Sequence, residues 1–115
     1  MHNLSISPED KVRLRHMLDA ALEIRQYVQS ATREDLNRDP KLVHSLVHLL
    51  EIIGEAANQI SDELKDKTPD IPWFIIIGMR NRLIHVYFDI DLNVVWSTST
   101  VDIPVLITEL EKLFG

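Results

Sequence analysis

A helical spacing of apolar residues begins near the start of the chain. Ser7-Pro8-Glu9-Asp10 combines a hydroxyl cap, a proline suited to the first helical position and two early carboxylates, so it predicts a helix start. The spacing continues to about Ser30. Apolar residues at steps of three and four give this predicted helix one side to bury. They are Leu14, Met17, Leu18, Ala21, Ile24 and Val28.

A second helix is predicted from Pro40 to about Lys65, after a polar loop that contains one helical turn. Asp39-Pro40 repeats the combination of a cap and a proline, and Gly54 is the one helix-weakening residue inside the range. The apolar positions again share one face. They are Leu42, Leu46, Leu49, Ile53, Ala56 and Ile60.

The opposite face of this second helix carries a polar stripe whose members lie within about 40° of one another. Such a stripe is usually solvated, and the alternative is that part of it lines a cleft, with Glu55 and Asn58 as wall residues. His44 and His48 could hold a metal as an i, i+4 pair, but no H-E-x-x-H or E-x-x-H pattern accompanies them, so we predict no metal site. The stripe consists of His44, His48, Glu51, Glu55, Asn58 and Asp62.

The third main helix is predicted to start at Pro72-Trp73 and to continue through Tyr87. Its run Phe74-Ile75-Ile76-Ile77 could form a strand on β-propensity alone. We favour a helix because apolar residues continue at helical steps as far as Val86.

Two shorter helical segments should complete the chain. Asp91 can cap one through Val95 and Trp96. Asp102 and Pro104 mark the start, or a kink, of the last one. The apolar positions of that last helix are Val105, Leu106, Leu110, Leu113 and Phe114.

Composition supports one small domain over residues 1–115, and the predicted helices make it an all-α domain. The chain has 115 residues, of which 45% are hydrophobic and 26% charged. It contains no cysteine, which excludes disulfides and suits a reducing cytoplasm. We see no export signal and no apolar run of the ~20 residues that would cross a membrane. The net charge of -6 excludes a protein that coats nucleic acid, so any contact with RNA must be local.

Reactive side chains are concentrated between Met79 and Tyr87. Arg80 supplies a fixed cation, His85 can exchange protons near neutral pH, and Tyr87 adds a phenol, a set that suits chemistry on a phosphodiester. The alternative is structural: Arg80 and Arg82 would compensate a helix end, His85 would be a half-buried polar residue, and Tyr87 would pack in the core.

A regular helix does not bring these groups to one point. Arg80 and His85 would lie about 140° apart around the axis, whereas Asn81 and Arg82 are the same-face neighbours of His85. Convergence would need a distorted last turn, the reach of long arginine side chains, or a second subunit that brings its own copy of the motif.

The segment Met79-Arg80-Asn81-Arg82-Leu83-Ile84-His85-Val86-Tyr87 resembles the R-x4-H-x-Y motif of the HEPN superfamily, specifically its HepT-type toxins from two-gene toxin-antitoxin modules. Three further segments are similar to family signatures, so the resemblance covers nearly the whole chain. Phe74 departs from it, because a polar or basic residue is expected after the tryptophan. The three segments are Ile52-Ile53-Gly54-Glu55-Ala56-Ala57, Ile71-Pro72-Trp73 and Asp89-Ile90-Asp91-Leu92.

The resemblance implies an all-α antiparallel helical bundle. It also implies a metal-independent endoribonuclease that needs no cofactor and cleaves tRNA or mRNA. His85 would be the general acid or base, and Arg80 would bind the phosphate. Asn81, Arg82 and Glu55 are the expected supporting residues. A homodimer would line one cleft with two copies of the motif.

The resemblance also implies a protein partner, a minimal nucleotidyltransferase antitoxin that attaches AMP to Tyr87. The added anion would block RNA by charge and by volume. The two proteins could form a larger hetero-oligomer. An alternative from another functional class is a non-catalytic HEPN module that binds a nucleotidyltransferase and assists it.

Overall fold

The computed structural model describes residues 5–84 and 89–114, and these residues form an all-α structure. No helix among them is long and apolar enough to span a membrane. A single isolated antiparallel bridge, between Ile84 and Ile90, is the β-type pairing found in these ranges. The helices are α1 Pro8–Gln29, α2 Asp35–Arg38, α3 Pro40–Asn58, α4 Asp62–Lys67, α5 Trp73–Ile77, α6 Met79–Leu83, α7 Leu92–Ser97 and α8 Ile103–Phe114, with a π-helical turn Thr98–Asp102 before α8.

Three predicted helix starts are confirmed by their caps. The Ser7 hydroxyl accepts a hydrogen bond from the Asp10 backbone N–H at 3.1 Å. Asp39 and Asp91 act in the same way at the starts of α3 and α7, where each carboxylate accepts from the backbone N–H three residues later. Local sequence fixes these starts because a cap needs only its own first turn.

The core forms where α1 packs against α3, and α8 covers α1. The predicted apolar faces of α1 and α3 are confirmed, since nearly all of their members are buried and the rest are half-buried, whereas Val105 and Phe114 of the last helix are exposed. Asp10, at the start of α1, accepts hydrogen bonds from the N–H and the hydroxyl of Ser61, just beyond the end of α3, at 2.9 and 2.6 Å. The two helices are therefore antiparallel.

The predicted end of the second helix was wrong, because α3 stops at Asn58 instead of continuing to Lys65. Ser61 starts a separate helix, α4, by accepting a hydrogen bond from the Leu64 backbone N–H at 3.2 Å. The hydrogen bonds that Ser61 donates to Asp10 hold Ser61 in this capping position. A contact with a residue far away in the sequence therefore overrides the helical spacing.

The third predicted helix was correct in type but wrong in length. It is divided into α5 and α6 at Gly78. At the same level α3 approaches very closely, since a Cβ placed on Gly54 would lie 3.2 Å from the carbonyl oxygen of Ile76. Glycine at position 54 thus lets α5 lie against α3, and the run that might have been a strand is helical.

The chain leaves the helical conformation after Leu83. Ile84 is extended and pairs with Ile90, and the Asp91 backbone N–H donates to the Leu83 carbonyl oxygen at 2.7 Å. The predicted continuation of a regular helix through residue 87 was therefore wrong at Ile84. The estimate that Arg80 and His85 lie 140° apart rested on that continuation and no longer holds.

The last two predicted helices form one nearly continuous stretch. The π-helical turn joins α7 directly to α8, so the predicted start or kink near Asp102 is a widened turn. Pro104 lacks the N–H that an α-helix would use to bond the carbonyl four residues earlier. The widened turn precedes this proline, where a regular α-helical hydrogen bond could not form.

Candidate functional site

An open groove of about 780 Å³ crosses the surface of α3. Residues of α3 form its floor, α1 supplies one wall, and the end of α5 together with α6 supplies the other. The lining is a mixture of charged, amide and imidazole side chains with a few apolar ones. The polar members are Arg13, His16, His48, Glu51, Glu55, Asn58, Gln59, Arg80 and Asn81.

Arg80 is held at one wall of this groove by Glu51. The Arg80 Nε donates a hydrogen bond to the Glu51 Oε2 at 2.7 Å, and the two charges form an ion pair. The Arg80 side chain remains 65% exposed, whereas that of Glu51 is 31% exposed. A carboxylate bound at Nε restricts the plane of the guanidinium and leaves its terminal nitrogens for a further acceptor.

The groove also contains two of the residues predicted to support the site. Asn81 follows Arg80 on α6 and is exposed, and Glu55 lies one turn after Glu51 on the floor. Asn58, predicted as a wall residue of any cleft, lines the groove as well. The polar stripe on α3 therefore faces a cleft along part of its length.

Arg82 is not brought to this groove. It lines a separate cavity of about 330 Å³ between α5–α6 and α8, whose lining includes Met79, Val105 and Glu109. Arg80 and Arg82 thus point toward different cavities of the same protomer, because residues two apart on a helix lie about 200° apart around its axis.

His85 and Tyr87, the predicted proton-transfer group and the predicted modification site, lie outside the described residues. The structure describes the chain on both sides of them. Leu83 is fully buried and Ile84 pairs with Ile90, so described residues before and after His85 and Tyr87 lie next to α6.

Glu51 is the site residue that the sequence reasoning did not select. It belongs to the predicted polar stripe, but Glu55 and Asn58 were preferred as wall residues. The only signal available was its place on the stripe one turn before Glu55. The Arg80 contact, which singles out Glu51, joins residues 29 positions apart.

The described residues contain no group of three or more histidine, cysteine, aspartate or glutamate side chains that could hold a metal ion. His44 is exposed, and His48 lines the groove. The polar groups that the groove brings together are suited to binding an anion or to hydrogen bonding.

A family model described as Ribonuclease HepT-like matches residues 17–113, a range that covers the motif and the groove residues on α3, α5 and α6 but not Arg13 and His16. The chain belongs to the HepT-like ribonuclease family. The match includes most of α1, all of α2 to α7 and all but the last residue of α8, so the HEPN-type fold expected from the sequence is confirmed.

Relatives of this HepT-like chain carry ribonuclease names. It is 38% identical over 100 residues to "Probable ribonuclease HepT" of Thermococcus cleftensis, a match covering 87% of this chain and 91% of the relative. It is also 38% identical over 99 residues to a "Putative RNase" of Caldanaerobacter subterraneus subsp. tengcongensis, covering 86% and 85%. A "Putative RNase" of Methanocaldococcus jannaschii is 31% identical, covering 88% and 93%. No solved structure matches the chain.

Proposed function

We propose that this HepT-like chain is a metal-independent endoribonuclease, the toxin component of a toxin-antitoxin module, acting on tRNA or mRNA in the cytoplasm. The observation that carries the proposal is Arg80, which is held by Glu51 with most of its side chain exposed in a groove. The family match and the names of the relatives support the class of reaction.

The proposed reaction is an attack by the ribose 2′-hydroxyl on the adjacent phosphorus. His85 takes the proton of the 2′-hydroxyl, or gives a proton to the departing 5′-oxygen. The P–O2′ bond forms while the P–O5′ bond breaks, which leaves a 2′,3′-cyclic phosphate and a 5′-hydroxyl. Water need not enter this step, and the proton lost from the 2′-oxygen balances the proton gained by the leaving group.

Arg80 stabilises the negative charge that develops on the phosphate oxygens during this attack. Its Nε is used by Glu51, so the phosphate binds at the terminal nitrogens. Glu51 is a positioning residue: it does not touch the substrate but fixes the direction of the guanidinium. A guanidinium oriented before the substrate binds loses less conformational entropy when it binds the phosphate.

The supporting residues differ in what they can contribute. Asn81 adjoins Arg80 in the groove and can hydrogen bond with the substrate, and Glu55 can accept hydrogen bonds from it. Arg82 lines the other cavity, so we assign it no role in the groove of its own protomer.

We further propose that the active form is a homodimer in which two copies of the motif border one cleft. In such a dimer each chain would contribute one Arg80 and one His85 to the shared cleft. Large apolar side chains also remain exposed in the described part of the protomer. Ile75 is 53% exposed and Val105 is 61% exposed. Such side chains are common at interfaces between subunits.

The regulatory part of the proposal is a minimal nucleotidyltransferase antitoxin that transfers AMP to Tyr87. Tyr87 follows His85 by two residues, so an attached nucleotide would place an anion close to the catalytic groups. The antitoxin could remain bound in a larger hetero-oligomer.

The decisive experiment measures cleavage of total tRNA and of an mRNA transcript by the purified protein in the presence of EDTA. Arg80→Ala and His85→Ala should each reduce cleavage by about 10²- to 10⁴-fold. Arg15→Ala is the matched control, because Arg15 pairs with Asp19 and stacks on Phe114 away from the groove. The 5′ fragments should end in a 2′,3′-cyclic phosphate.

Cleavage that requires added Mg²⁺, or that persists in His85→Ala, would contradict the proposed mechanism. Absence of cleavage combined with stimulation of a partner nucleotidyltransferase would favour the alternative, a non-catalytic binding module.

A further inference from the structure

The groove extends well beyond Arg80, and its far end carries a second arginine. Asp10 on α1 is bonded to Ser61, so the start of α1 lies beside the end of α3. Arg13 follows Asp10 by about one turn and lines the groove. Glu51, which holds Arg80, lies seven residues before Asn58 on α3, so the two arginines border parts of the groove separated by roughly 10 Å along the helix.

Arg13 forms no ion pair with the residues that the structure describes. Within residues 5–84 and 89–114 its Nε is buried and has no hydrogen-bond partner. Most side-chain arginine groups inside proteins find an acceptor, and an unpaired one calls for an explanation. Both carboxylates that line the groove belong to α3. Glu51 is paired with Arg80, and Glu55 is exposed and forms no ion pair with Arg13.

The neighbours of Arg13 suit a nucleotide better than a simple anion. His16 lies on the same wall, one turn further along α1, and can stack on a base. Asn58 and Gln59 present amides that can both donate to and accept from the polar edge of a base. A cation, a flat ring and amides are the components with which proteins bind single-stranded RNA.

We propose that the end of the groove lined by Arg13, His16, Asn58 and Gln59 is a subsite for a nucleotide flanking the cleavage site in single-stranded RNA. The inference rests on the proposed ribonuclease function. Arg13 pairs with a backbone phosphate other than the one that is cut, and the amides contact the accompanying base. The net charge of -6 disfavours binding of RNA by bulk electrostatics, so contacts with RNA should be local, as proposed here for Arg13.

The test measures binding of a fluorescent single-stranded ten-nucleotide RNA whose 2′-hydroxyls are methylated, so that it cannot be cut. Fluorescence anisotropy is recorded at several salt concentrations for the parent, Arg13→Gln and Arg13→Lys. Arg13→Gln should raise Kd roughly tenfold. It should also reduce the slope of log affinity against log salt by about 0.7, the value for one phosphate contact on a single strand. Arg13→Lys keeps the charge and should keep the slope.

Arg15→Gln provides the matched control, because it removes the same charge from the same helix outside the groove. Its Kd and salt slope should stay close to those of the parent. Thermal unfolding of each variant shows whether it is folded, and His16→Ala gives an independent readout because it should raise Kd without changing the slope.

If Arg13→Gln and Arg15→Gln changed Kd and the salt slope equally, the subsite would be overturned, and the overall charge of the protein would explain the change in affinity. A change in the mass of Arg13→Gln measured by light scattering would also overturn it, by assigning Arg13 to an interface between copies of the chain. If the parent cleaves RNA while Arg13→Gln binds as tightly as the parent, the subsite fails and the proposed function stands. If the parent neither binds nor cleaves RNA, both fail.

Discussion

Glu51 accepts a hydrogen bond from the Nε of Arg80, although the two residues lie on different helices and 29 positions apart in the sequence. The contact links the floor of the groove to its wall. It engages the Nε of the guanidinium and leaves the two terminal nitrogens for another acceptor. An arginine held in this way is ready to bind a phosphate without first finding its own orientation.

Removing the carboxylate of Glu51 should therefore lower kcat strongly and change the unfolding temperature only slightly. We expect Glu51→Ala to lower kcat by roughly ten- to a hundredfold, because a misplaced binding group is costly in the transition state. Glu51→Gln should retain much more activity, since its amide oxygen can still accept from Nε. Steady-state cleavage of a defined RNA, with thermal unfolding measured in parallel, checks both variants.

A control for Glu51 is available on α4. Glu63→Ala removes an exposed carboxylate that pairs with Lys67 at 3.5 Å, outside the groove, and should leave kcat unchanged. A rise in activity in Glu51→Ala would contradict the positioning role and show that the carboxylate competes with RNA for Arg80.

The proposed dimer can be tested by complementation between inactive variants. If one site combines Arg80 of one protomer with His85 of the other, mixed dimers of Arg80→Ala and His85→Ala contain one intact site. An equal mixture should then recover about a quarter of the parent activity, because half of the dimers are mixed. Light scattering should give twice the 13.3 kDa mass of the chain.

Activity should be recovered only after subunits exchange between the two variants. The controls are therefore each variant alone and a mixture measured before exchange, which should all remain inactive. A monomer at micromolar concentration would exclude a composite site. A dimer without recovery would show that each protomer holds a complete Arg80–His85 pair.

Some of this structure could be predicted from local sequence, and some could not. The starts of α1, α3 and α7 depend on caps that act within one turn, so Ser7, Asp39 and Asp91 were sufficient to predict them. The end of α3 depends on Ser61, whose capping position is held by a residue 51 positions away. No periodicity within α3 contains that information.

The candidate site divides in the same way. Arg80 could be recognised because its residue type and spacing match a known motif. Its partner Glu51 could not be distinguished from Glu55 on the same stripe, since only the packing of α6 against α3 decides which carboxylate it meets. By contrast, the separation of Arg82 from the groove follows from helix geometry alone, because residues two apart on α6 lie about 200° apart around its axis.

The contact between Asp10 and Ser61 should contribute substantially to stability. Asp10 is only 5% exposed and accepts two hydrogen bonds from Ser61. Asp10→Ala should lower the free energy of unfolding by about 1.5–3 kcal/mol, the range for hydrogen bonds to a charged group. Glu9→Ala is the matched control, because Glu9 occupies the same first turn but is exposed. Urea unfolding followed by circular dichroism measures both, and equal effects would attribute the loss to the helix dipole alone.

Tyr87 should be the residue through which the antitoxin silences the protein, because an AMP group there would add negative charge and bulk within two residues of His85. Intact-mass analysis after co-expression with a cognate nucleotidyltransferase should show one or more AMP additions, all on the peptide that contains Tyr87. The chain has one other tyrosine, Tyr27, whose hydroxyl donates to Glu23 on α1, and Tyr27→Phe should be modified as the parent is. Tyr87→Phe should cleave RNA, escape modification and resist neutralisation. If the antitoxin inhibits Tyr87→Phe as strongly as the parent and adds no mass to either, inhibition acts by steric docking, and the tyrosine has a structural role only.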